Sequence, residues 1–202
     1  MRAPRSGHPP LVGISPLQLH CADAALDRID TILKLRERGL SIRDPEILEK
    51  CRMGVTVIAP WEAFTVGPYR VQTVAARHDE GHEAMLFAIE DARSGGRIFY
   101  GTDTGPLPAE TWPRLAGLGW SFELFILDHT FGFGKRSSGH LNQEQFLEEV
   151  AAARAAGLIG EGTRVIATHL AHHSHPAHGE LCRLACEHRY EIAWDGWTVA
   201  TI

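Results

Sequence analysis

The spacing of apolar residues changes period several times along the chain, and each change predicts an element. Leu11 to Cys21 carries apolar side chains in near alternation around Pro16, which predicts a strand with a break or bulge. Leu26, Ile29 and Leu33 then follow helical spacing behind Asp23, a suitable N-cap, and Gly39 closes that helix. Asp44-Pro45 predicts a second short helix with proline at its first position. From Val55 onward the pattern becomes that of short strands. They run Val55 to Ala59, Phe64 to Val66, Tyr69 to Ala76, Ala84 to Glu90 and Arg97 to Gly101, and are expected to form mostly antiparallel sheet. Ser94-Gly-Gly96 predicts a hairpin into the last of these.

Pro106 to Leu118 reads as a short helix around Trp112 and Pro113, and Glu123 to Leu127 as a buried strand ending at Asp128-His-Thr130. A glycine-rich loop from Phe131 to Gly139 leads to His140. Asn142 and Gln145 have the spacing of a capping box for a helix through Ala156, with Phe146, Leu147 and Val150 on its apolar face and Gly157 at its end. A strand from Arg164 to Thr168 follows, then a histidine-rich loop and a helix from about Gly179 to His188. Asp195-Gly196 predicts a type I′ turn closing a hairpin between Ile192–Trp194 and Trp197–Val199. With no repeat, low-complexity tract or linker, residues 1–202 read as a single domain.

Composition narrows the function classes. An apolar fraction of 44% and a charged fraction of 22% are ordinary for a globular domain. A net charge of -5 offers no basic footprint, which argues against nucleic acid as a partner. No apolar run approaches the ~18 residues of a membrane span. The four cysteines, at 21, 51, 182 and 186, form no CxxC pair. Cys182 and Cys186, one helical turn apart, could bind metal or form a pair but read better as helix packing. None of the four demands an oxidising compartment, so a cytoplasmic location is expected. Met1 to Pro10 lacks the apolar core of a signal peptide and reads as a loop in mid-domain.

Three predicted strands end on residues that bind metals. His78 follows Val71-Gln-Thr-Val-Ala-Ala-Arg77, Asp103 follows the strand Arg97 to Tyr100 through Gly101-Thr102, and His169 follows Arg164-Val-Ile-Ala-Thr168. Strand ends are where α/β proteins place ligand groups. Two imidazoles and a carboxylate suit zinc or a similar divalent ion. The bland alternative for a lone strand-end histidine is a hydrogen-bonded structural role, and three coinciding strand ends weigh against it. His82, His129 and His188 are expected to be structural or surface residues, and His172, His173 and His175 a solvated loop. Asp128 is expected to orient a ligand or cap a turn.

His78-Asp-Glu-Gly81, Gly101-Thr-Asp-Thr-Gly105, Leu127-Asp-His-Thr130, Ser138-Gly-His-Leu141, Ala167-Thr-His-Leu-Ala-His-His173 and Ala193-Trp-Asp-Gly196, taken together, resemble the metallo-β-lactamase superfamily. Within it they look most like the phosphodiesterase branch that hydrolyses phosphoribosyl cyclic phosphate and related esters. The resemblance implies an α/β fold, the αββα four-layer sandwich, with a dinuclear centre of zinc or manganese. It implies that His78 binds one metal, that Asp103 bridges both, and that His169 binds the second. It places His140 near the substrate phosphate, as a catalytic residue beside Asp103. The substrate expected is a small-molecule phosphodiester.

The family's His-x-His-x-Asp-His signature is absent from these 202 residues, and Leu17-Gln-Leu-His-Cys21 resembles the strand that comes soon after it. The expectation is therefore a domain truncated on its N-terminal side and incomplete there. His78, Asp103 and His169 would leave each metal about two protein ligands, where catalytic zinc has three. His173-Ser-His-Pro-Ala-His178 fits His-x-His-x-x-His, yet it is better read as the loop after His169 with an extra histidine. Lys135 and Arg136 offer cations that a phosphate would meet, or else belong to a mobile surface loop. The alternative function is a non-catalytic remnant or interaction module, and a homo-oligomer would cover its exposed sheet edges.

Overall fold

The computed structural model describes residues 15–78 and 83–200. The start of the first predicted strand at Leu11, Asp79 to Gly81 of the His78 motif, and His82 lie outside the described residues. The chain divides into two compact units, one ending at Ile58 and one beginning at Ala59.

In the first unit, β1 (Leu17–Cys21) pairs in parallel with β2 (Met53–Val57). Between them lie α1 (Asp23–Ile32), a 3-10 turn (Arg36–Arg38) and α2 (Pro45–Cys51). β2 thus stands outside the antiparallel run that the sequence pattern suggests, because strands joined through helices pair in parallel. α1 is capped at Ala22 rather than Asp23, and the Asp23 carboxylate instead pairs with Arg43 at 2.8 Å. Gly39 (φ 66°) closes the 3-10 turn, in the left-handed conformation that glycine adopts without steric cost. The Asp30 carboxylate accepts from the Ile42 amide (2.6 Å) and the Ser41 hydroxyl (2.7 Å), and these bonds hold it below the usual carboxylate range.

The second unit is built on a seven-stranded sheet, in chain order β3 (Ala63–Val66), β4 (Tyr69–Ala75), β5 (Met85–Asp91), β6 (Arg97–Gly101), β7 (Leu124–Asp128), β8 (Arg164–Thr168) and β9 (Glu191–Ile192). β3 to β6 run antiparallel, as their short Gly- and Pro-bearing connections predict, and β6 to β9 run parallel. The parallel crossovers carry α3 (Thr111–Gly117), α4 (Gln143–Ala155) and α5 (His178–Glu187). Their buried Trp112, Leu115, Phe146, Ala153, Leu181 and Ala185 pack with Phe99, Phe125, Leu127, Val165 and Ala167 of the strands. Phe99 stacks on Phe125 at 5.1 Å and takes Trp112 edge-on at 5.2 Å.

α3 begins at Thr111, well inside the predicted span, because Pro106 and Pro108 cannot supply helical amides. Behind it, the buried Glu149 accepts from Leu107 N–H (2.9 Å) and Trp112 Nε1–H (2.7 Å), tying α4 to this proline-rich approach. The α4 capping box is fully formed: Asn142 accepts from the Gln145 amide at 2.9 Å, and Gln145 accepts from the Asn142 amide at 3.2 Å. The closing hairpin is not formed. β9 pairs in parallel with β8, and after it Gly196 takes a positive φ of 86° while Asp195 does not, which excludes a type I′ turn. Trp194 and Trp197 stack across that turn at 4.6 Å.

Candidate metal centre

Strand direction brings the predicted residues to one edge. β4 lies two antiparallel steps from β6 and so points the same way, as do β7 and β8. The carboxyl ends of β4, β6, β7 and β8 therefore share an edge. His78 lies just past Ala75, Asp103 just past Gly101, Asp128 ends β7, and His169 follows Thr168 directly. Asp103 (φ 61°) and His169 (φ 58°) both adopt the left-handed backbone conformation, a sharp turn off the strand that few non-glycine residues make.

Asp103 Oδ1 faces three imidazole nitrogens: His78 Nδ1 at 3.3 Å, His140 Nδ1 at 3.7 Å and His169 Nε2 at 4.0 Å. None is close enough for a good hydrogen bond. Two atoms that share one tetrahedral zinc at bonds of about 2.0–2.2 Å sit roughly 3.3–3.6 Å apart. Of the three, the His78 Nδ1 distance falls in that range, His169 Nε2 lies somewhat beyond it, and His140 Nδ1 is turned to Asp128; two imidazoles and a carboxylate are a donor set that suits a divalent ion. The tight group consists of Asp103, Asp128, His140 and His169, with one ligand-type atom from each lying within 4.8 Å of the others. His78 touches Asp103 but stands outside that group. Its Nδ1 is also 3.3 Å from the Gly139 carbonyl.

Asp128 organises the two histidines nearest it. Its carboxylate is fully buried and accepts from the amides of Thr130 and Leu141, each at 3.0 Å. The Thr130 hydroxyl lies 2.8 Å from both Asp128 Oδ2 and the His169 carbonyl oxygen, two groups that accept, so its single proton is given to one of them. The Thr130 oxygen in turn accepts from His169 Nδ1–H at 2.7 Å. That chain places the His169 proton on Nδ1 and its lone pair on Nε2, the atom facing Asp103. His140 Nδ1–H donates to Asp128 Oδ2 at 3.2 Å, which leaves Nε2 of His140 for other work. Such outer hydrogen bonds fix the orientation and basicity of metal-binding imidazoles.

The loop between β7 and α4 closes around these groups. The backbone at Gly105 lies against the Ser138 carbonyl with no room for a Cβ, and a Cβ on Gly139 would stand 2.9 Å from the His78 carbonyl. Thr104 Oγ1 accepts from the Arg77 amide at 3.1 Å, so the loops carrying His78 and Asp103 are stitched directly.

A family model described as "Beta-lactamase superfamily domain" matches residues 17–170, about three quarters of the chain. The chain belongs to this superfamily. Solved structures superimpose over most of it. YhfI from Bacillus subtilis, a metallo-beta-lactamase fold protein, gives a TM-score of 0.61 at 20% identity, covering 90% of this chain and 64% of that one. Yeast PDE1 gives 0.62 at 16% identity, covering 90% and 59%. Human tRNase Z, short form, gives 0.56 at 10% identity, covering 94% and 70%. The chain thus spans less than two thirds of the length of the first two. No curated protein sequence matches it.

Other residues of this metallo-β-lactamase-type chain find non-metal roles. His129 is buried between Phe146 and Tyr190 and donates from Nδ1 to His175 Nε2 at 3.0 Å. Burial, with the neighbouring His175 adding to it, lowers its pKa to about 4. His175 donates from Nδ1 to the Ala171 carbonyl at 2.8 Å. His178 begins α5 and contacts Cys182 at 3.4 Å. The His-x-His-x-x-His look-alike is thus split among separate roles. Thr130 carries no signal in the sequence, because nothing local marks a threonine that links a carboxylate to an imidazole 39 residues away.

Proposed function

We propose that this chain is a metal-dependent hydrolase of phosphodiesters, and the observation that carries the reading is the meeting of Asp103, His140 and His169 over Asp128. Asp103 and His169, with His78 at the rim, would hold zinc or manganese. Asp103 suits a bridging role because a carboxylate has two oxygens. A bound divalent cation supplies Lewis acidity and hydroxide at neutral pH. His140 sits beside this centre with Nδ1–H fixed on Asp128, and a proton on its Nε2 passes to the leaving oxygen of the ester. Asp128 cancels the charge that His140 gains when it carries both protons. A small-molecule phosphodiester, a cytoplasmic setting and self-association complete the reading.

The test combines metal content with turnover. The chain loaded with zinc or manganese should retain metal through gel filtration and hydrolyse bis(p-nitrophenyl) phosphate, while Asp103→Asn and His169→Ala lose both. A specific observation favours a second reading, a non-catalytic relative. The His-x-His-x-Asp-His signature does not occur within the 202 residues, so protein ligands per metal are few. Equal metal content in wild type and His169→Ala, without turnover in either, would decide for that reading.

A further inference from the structure

A cleft of 780 Å³ is lined by the loop that leads to His140. Phe131 joins the two places: it lines the cleft, and its ring lies 5.3 Å from the ring of His140. The other walls include Phe133, Lys135, Arg136, His173 and Glu180. The loop that forms the cleft is held at several points. The Phe133 amide donates to the Ser174 carbonyl (3.1 Å), Asn142 Nδ2 donates to the Gly134 carbonyl (3.1 Å), and Gln145 Nε2 donates to the Ser137 carbonyl (2.8 Å). A pinned loop of this kind presents its side chains in a set arrangement.

Charge in the cleft is unevenly spent. Arg136 is neutralised by a two-pronged pair with Glu148 at 2.6 and 2.9 Å, and Glu180 is neutralised by Arg183 at 2.7 Å. Lys135 has no ion pair among the described residues, and neither its amide nor that of Arg136 makes a backbone hydrogen bond there. Two residues before Lys135, Phe133 exposes 49% of its surface. An open aromatic face next to an ammonium, with neither an ion pair nor backbone hydrogen bonds at the Lys135 and Arg136 amides among the described residues, matches one chemistry: a planar ring joined to a phosphate.

We infer that this cleft binds a phosphorylated nucleoside portion of the substrate, with its ring on Phe133 and its non-reacting phosphate at Lys135. The inference rests on the phosphodiesterase reading and names the part of the ester that lies beyond the bond being cut. The cleft has the volume usual for small-molecule sites, and its lining mixes the aromatic faces of Phe131 and Phe133 with charged and hydroxyl side chains.

The probe is adenosine 3′,5′-bisphosphate, with adenosine as the uncharged comparison, titrated calorimetrically into the full chain. Expected are measurable binding of the bisphosphate, at least tenfold weaker binding of adenosine, and roughly fivefold or greater weakening by Phe133→Ala. Lys135→Ala should weaken the bisphosphate about tenfold and leave adenosine unchanged. Arg136→Ala, whose charge is already balanced, should stay within twofold. Absence of binding to the wild type, or equal binding by wild type and Lys135→Ala, overturns the inference. Binding needs no turnover, so the two readings fail separately: bisphosphate held through Lys135 without hydrolysis of bis(p-nitrophenyl) phosphate sinks the catalytic reading alone.

Discussion

Acid should destabilise this protein through one buried imidazole. His129 is buried, and its pKa falls from 6.5 to about 4 because burial penalises its charged form. A depressed folded-state pKa means that the unfolded chain takes up the proton first as pH drops. The contribution is whole above pH 6.5 and is lost progressively down to about 4. Every pH unit between the unfolded and folded pKa is worth about 1.4 kcal/mol, so the full loss is about 3 kcal/mol, with about 2 kcal/mol of it falling between pH 7 and pH 5. Urea denaturation of the metal-free chain at pH 7, 6 and 5, followed by tryptophan fluorescence, measures this slope. In His129→Phe the ring between Phe146 and Tyr190 is kept but cannot titrate, so the slope should flatten by about 2 kcal/mol over that range, whatever the offset at pH 7. Parallel slopes in the two proteins would refute the assignment.

Three further outcomes follow from the same geometry. Asp128→Asn should lower metal affinity 10- to 100-fold, measured by competition with a chromogenic chelator, since it loses an acceptor for the His140 proton; this magnitude is of the order seen for outer-shell changes. Glu149→Leu strands the Leu107 amide and the Trp112 indole N–H, and urea curves should show a loss of about 2–4 kcal/mol. Asn142→Ala removes half of the α4 capping box and should cost about 1 kcal/mol by the same method.

Much of this architecture was legible because its signals are local. Asn142 and Gln145 announce their box three residues apart, and the short strands from Phe64 to Gly101 are bounded by glycines and prolines whose physics is confined to the turn. The strand ends at His78, Asp103 and His169 were visible for the same reason. Two kinds of feature were not. Asp195-Gly196 looks like a hairpin turn, yet β9 is recruited by the edge of β8, a tertiary choice that overrides the dipeptide. Thr130, Glu149 and His129 depend on partners 37 to 46 residues away, and no spacing rule reaches that far.

The backbone at Asp103 and His169 has a consequence for how the chain would respond to selection. At both positions glycine would sit more comfortably than the residue present, by on the order of 1 kcal/mol each. A screen that rewards thermal tolerance alone should therefore enrich Asp103→Gly, erasing one of the candidate metal ligands, whereas at His169 the gain is offset by the lost hydrogen bond to Thr130. Under the proposed reading, the sturdiest version of the protein and its metal-binding version are different sequences.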